Sequence, residues 1–101
     1  MDYIEKQKLV IDTTINLTKK AGARGLLKGV RNLTDYFALN AKDFPDTTNG
    51  MVGFIQWSKE NNIPESEILT TLIHDLYEFK RNRLEKWYCP RSYGYAEFIK
   101  E

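Results

Sequence analysis

Apolar residues recur at three- and four-residue intervals along most of the chain. No strand-like alternation competes, so the pattern is helical throughout. It is strongest from Pro64 to Tyr88. At about 100° per residue, Ile68, Leu69, Leu72, Ile73, Leu76, Tyr77, Phe79, Leu84, Trp87 and Tyr88 fall in one arc of roughly 200°. Glu67, Thr71, His74, Asp75, Glu78, Arg81, Asn82 and Glu85 fill the opposite arc. So wide an apolar arc predicts a central helix touching several others. Pro64 suits its first turn, where a missing N–H costs nothing. Glu65 and Glu67 complement the positive end of the helix dipole, and Lys80, Arg81, Arg83 and Lys86 the negative end. Cys89-Pro90 stops it, because proline disfavours helix in the residue before it. Lys80 and Arg83 interrupt the apolar arc in its last turns. Either their stems cover apolar surface while the charges reach water, or this end projects towards a partner.

Three more helices precede it. Residues 2–21 place Tyr3, Ile4, Val10, Ile11, Thr14, Ile15, Leu17 and Ala21 on one face, and Gly22 is a natural helix stop. Residues 25–40 form the second, with Leu26, Val30, Leu33, Phe37 and Ala41 as a core stripe. Gly22, Gly25 and Gly29 leave this junction bare, which suits a close approach of two backbones or of a ligand. Residues 41–46 connect, with Asp46 as the expected N-cap of a third helix over 47–61. Asn61-Asn62 ends that helix, and the fourth spans 64–88. Tyr93, Tyr95, Phe98 and Ile99 suggest a short fifth helix over 93–100. The expected fold is all-α: one domain, 1–101, in which four main helices form a compact bundle with a short C-terminal helix.

Composition refines this picture. At 101 residues, 42% hydrophobic and 29% charged, the chain has enough apolar content for one modest core. The single cysteine, Cys89, excludes an internal disulfide and fits a cytoplasmic setting. No apolar run approaches the roughly 18 residues of a membrane span, and no hydrophobic leader opens the sequence. The net charge of +1 conceals blocks. Lys19, Lys20, Arg24, Lys28 and Arg31 stand together without an acid, and Lys80, Arg81, Arg83, Lys86 and Arg91 surround only Glu85. The segment between them is acidic.

Candidate chemistry is sparse. His74 with Asp75 and Glu78, joined by Glu67, has helical spacing for a metal site, but it reads as a solvated, ion-paired face. Cys89 has basic neighbours that would lower a thiol pKa. His74 is the only histidine, and it lies roughly 22 Å away along a continuous helix, so a Cys–His pair is not expected. Asp75 and Glu78 as paired carboxylates would need a pocket. The turn before residue 64 resembles a helix-turn-helix, but Glu65 and Glu67 would repel phosphates at its leading end. These readings predict a protein with no enzymatic activity, catalytic residue, metal or cofactor.

Two binding surfaces remain. Arg83, Trp87, Tyr88, Arg91, Tyr93 and Tyr95 combine the residue types that dominate protein interfaces. They predict a small helical regulator, inhibitor or immunity-type factor, acting on a protein partner or by self-association. Alternatively, Lys19, Lys20, Arg24, Lys28 and Arg31 form a glycine-rich basic segment at a helix start, which with the second basic block over 80–91 is suited to a phosphate-bearing ligand, nucleic acid or a nucleotide. It matches neither the Walker nor the dinucleotide pattern.

Overall fold

The computed structural model describes residues 1–82. The Asp2 side chain accepts a 2.8 Å hydrogen bond from the Glu5 N–H and starts helix α1, Tyr3–Lys20. Its far end is closed by a Schellman motif: Gly22 N–H donates to Lys19 O, and Ala23 N–H to Thr18 O. Gly22 takes φ +71°, the left-handed conformation that favours glycine. Helix α2, Arg24–Asn40, follows directly and runs into a 3₁₀ turn, Ala41–Asp43. Helix α3 is Pro45–Glu60. Its start differs from expectation. Phe44 takes the cap position with no side-chain cap, and Pro45 and Asp46 already lie in the first turn. The fixed φ of proline is preorganised for that first helical position. A second Schellman motif closes α3, with Ile63 N–H donating to Ser58 O and Asn62 at φ 54°. Helix α4, Glu65–Asn82, completes the described bundle. The expected helix over 93–100, and the end of the one over 64–88, lie outside the described residues.

Cross-helix contacts fix the topology. Gln7 Nε2 donates to Ala38 O at 2.8 Å, so α1 and α2 are antiparallel. Lys6 Nζ reaches Asn49 Oδ1 at 2.9 Å, which sets the starts of α1 and α3 together. Lys20 pairs with Glu65 at 2.9 Å, which joins the end of α1 to the start of α4. The directions are therefore up, down, up, down. Yet parallel helices are neighbours: α2 packs on α4, and α1 on α3. The order around the bundle is α1, α2, α4, α3, with α1 and α4 touching across the middle. The 3₁₀ turn carries the chain across the bundle end from α2 to α3.

Val10, Phe37, Met51, Ile55, Leu72 and Leu76 form the centre of the core. Phe79 joins them, edge-on to Tyr36, Phe37 and Phe44 at centroid distances of 5.7, 6.1 and 5.4 Å. The centre also holds hydroxyls. Thr14 and Thr18 are fully buried on α1, one and two turns beyond Val10. Thr14 Oγ1 donates to Val10 O and Thr18 Oγ1 to Thr14 O, each at 2.8 Å. Because the preceding turn satisfies each hydroxyl, it is buried without leaving an orphaned donor.

Several sequence-based assignments of face change. Ile4 and Ala21 are exposed, whereas Thr18 is buried. The buried face of α1 is therefore a narrow Val10–Thr14–Thr18 stripe, which lets three helices close around it. On α4, Thr71 and Asp75 turn inward while Tyr77 turns outward. Packing against α1, α2 and α3 at once rotates the buried arc towards Thr71 and Asp75. The glycines of the first junction serve no close backbone approach, since a Cβ at Gly22, Gly25 or Gly29 would meet nothing within 4 Å.

Candidate functional site

Beyond the core, the seam between the parallel helices α2 and α4 stays open. It holds a concavity of about 350 Å³, walled by Leu26, Gly29 and Leu33 on one side and Ile73 and Tyr77 on the other. Leu26 is 56% exposed and Tyr77 53% exposed. The cause is local. Gly29 stands midway between Leu26 and Leu33, and it has no side chain to meet α4. Lys80 lies at one end of the trough with its ammonium 5.9 Å from the centre of the Tyr36 ring. Arg81 continues the cationic end, with Glu78 at 3.7 Å. Glu78 also accepts from Asn82 Nδ2 at 3.0 Å.

Sequence reading assigned Leu26 and Tyr77 to the core, and the structure corrects both. Leu26 sits in the first turn of α2, where packing runs out. Tyr77 sits at the edge of its apolar arc. A signal was present: an apolar arc of roughly 200° is wider than one helix needs to bury in such a bundle.

The basic segment is divided. Arg24, Lys28 and Arg31 line one shallow surface together with Asn32 and Asp35. Asn32 also borders the apolar trough, so the basic row flanks it. Lys20 is held elsewhere by Glu65, and Lys19 is exposed at the end of α1. The aromatic and arginine set Arg83, Trp87, Tyr88, Arg91, Tyr93 and Tyr95 lies outside the described residues, as does Cys89.

The acidic face of α4 is ion-paired at Glu78, as the sequence suggests, but it departs from a solvated array at Asp75 and His74. Asp75 is fully buried and engaged in a polar interaction, whereas Glu67 stays exposed. His74 is half-buried, and its Nδ1 is buried without a hydrogen-bond partner. Among the described residues, no three of His, Cys, Asp and Glu stand close enough to hold a metal ion. At the end of the bundle where α1 and α3 begin, the Tyr3 and Thr48 hydroxyls are buried without completing a hydrogen bond. Burial pushes the Tyr3 phenol above its ordinary value. The nearby Thr48 hydroxyl offsets part of that rise, and the Asp43 carboxylate adds to it.

Among the described residues, no helix is long and apolar enough to cross a membrane. Comparison with known proteins finds no relative: no family model, curated protein or solved structure matches the chain.

Proposed function

We propose that this is a small non-enzymatic helical binding protein that acts through protein contacts in a cytoplasmic setting. The open α2/α4 trough carries the reading. A bundle that buries Val10, Phe37 and Leu72 completely leaves Leu26 and Tyr77 more than half exposed, both lining one seam. Exposed apolar surface bordered by polar residues is characteristic of contact sites. The trough is too open to enclose a small substrate, and among the described residues only Tyr77 and Lys80 of its walls are titratable. Arg83, Trp87, Tyr88, Arg91, Tyr93 and Tyr95 follow α4 in sequence and extend the same proposal.

Site-specific photo-crosslinking in the source cell tests it. A photoreactive residue at Leu26 is expected to trap a discrete partner or a second copy. The same residue at Gln56, exposed on α3, is expected to trap none. Loss of the Leu26 adduct on Gly29→Leu would confirm the trough. Equal or no adducts from the two positions would contradict it.

A second reading rests on the row of Arg24, Lys28 and Arg31, which share one surface. With Lys19 and Lys20 nearby in sequence, they would hold a phosphate-bearing ligand, nucleic acid or a nucleotide. That reading requires affinity that falls steeply with salt. Flat salt dependence for an oligonucleotide would remove it.

A further inference from the structure

We infer that the occupant of the α2/α4 trough is an acidic amphipathic helix of a partner protein, which rests on the reading of this seam as a protein-contact surface. Three observations converge on that class of partner.

The first is shape. Phe79 packs on Tyr36 and Phe37, and Lys80 reaches over Tyr36. The two helices run side by side in the same direction, as their contacts with the two ends of α1 set. Leu26 to Leu33 on α2 and Ile73 to Lys80 on α4 each cover two turns, so the trough is about 10 Å long at 1.5 Å per residue. That length matches apolar anchors at i, i+3 or i+4, and i+7 on a guest helix. The gap at Gly29 admits a side chain from the guest.

The second is backbone chemistry. Both walls are helices, whose interior N–H and C=O groups are already paired. An extended peptide would find no strand edge to bond, whereas a helix arrives with its own backbone satisfied.

The third is charge. Lys80 and Arg81 stand at one end, and the separate surface of Arg24, Lys28 and Arg31 adjoins the α2 wall through Asn32, with Lys28 the nearest of the three in helical phase. Among the described residues, the acids on these surfaces are Asp35, within that row, and Glu78, already bonded to Asn82 and facing Arg81. Among the described residues, this excess of cations over acids favours glutamate and aspartate on the guest.

Fluorescence anisotropy with the full chain tests the inference, using three labelled peptides of about four helical turns. One is an acidic amphipathic helix with leucine at the anchor positions. The second carries lysine in place of its acids, and the third is a scramble of the first. The acidic amphipathic peptide is expected to bind about tenfold or more tightly than either control, and less tightly as salt rises. Gly29→Leu, which fills the trough in open space, and Tyr77→Ala, which removes an exposed wall, should each weaken it severalfold. Equal binding of the basic peptide overturns the acidic partner while leaving the trough as a contact surface. Equal binding of the scramble, or indifference to Gly29→Leu, places the peptide on the basic row instead. If none of the peptides binds, the inference fails. The broader proposal is then judged by the Leu26 crosslink, which identifies a second copy if the adduct has twice the chain's mass.

Discussion

The α1 seam and the α2/α4 seam invert the usual relation between polarity and burial. Along α1, the hydroxyls of Thr14 and Thr18 are sealed in the middle of the bundle. Along α2 and α4, the aliphatic and aromatic side chains of Leu26 and Tyr77 face outward. The difference lies in what each helix offers its neighbours. Threonine is small, and its hydroxyl is satisfied by the carbonyl one turn back, so three helices close over it. Glycine at position 29 offers nothing to close over, and Leu26 on one side of it is left more than half exposed. Burial here follows the geometry of contact more closely than it follows hydropathy.

That contrast is broken most strongly in the core both seams share. Phe79→Ala removes the ring that Tyr36, Phe37 and Phe44 pack against, and should cost about 3–5 kcal/mol in chemical denaturation. Leu26→Ala, which removes a leucine side chain from the open seam, should stay within about 0.5 kcal/mol. Comparable losses at the two positions would mean that the α2/α4 seam is closed.

Much of the architecture was legible in the sequence. Two helix ends were read from the residues, Gly22 closing α1 and Asn62 closing α3, whereas the start of α3 falls two residues earlier than the expected Asp46 cap. The faces were less legible, because helical periodicity cannot distinguish a residue at the edge of an apolar arc from one at its centre. Tyr77 and Asp75 exchange roles for that reason. Asp75 also needs a polar partner to be buried, and no spacing rule in the sequence announces one. The trough was invisible because it depends on the pairing of α2 with α4. A simple up-down-up-down bundle would set those two helices diagonally apart.

The α1 seam can be tested by overfilling it. Thr18→Leu adds volume where three helices meet and should cost about 1–3 kcal/mol. The mirror experiment adds a methyl group to the open junction. Gly25→Ala and Gly29→Ala meet no atom within 4 Å, and should each stabilise the protein by about 0.5–1 kcal/mol through helix propensity. Destabilisation by either would mean that another segment approaches this surface.

The smallest effect is confined to alkaline pH. The phenol of Tyr3 is raised above its ordinary value chiefly by burial, so the folded state holds that proton more tightly than the unfolded chain does. Its contribution is complete below about pH 10, the ordinary tyrosine value, and is lost as pH rises beyond it. Tyr3→Phe should behave like wild type at neutral pH and lose less stability above that range. Parallel curves for the two proteins at all pH values would contradict the burial of the hydroxyl.

The contrast between the seams is tested most directly by methyl and aromatic NMR of the full chain with a soluble paramagnetic agent. The Leu26 methyl groups and the Tyr77 ring should broaden strongly, while the methyl groups of Val10, Thr14 and Leu72 remain sharp. Protection of Leu26 and Tyr77 to the level of Leu72 would show the α2/α4 seam covered in the isolated protein, and would remove the trough as its contact surface.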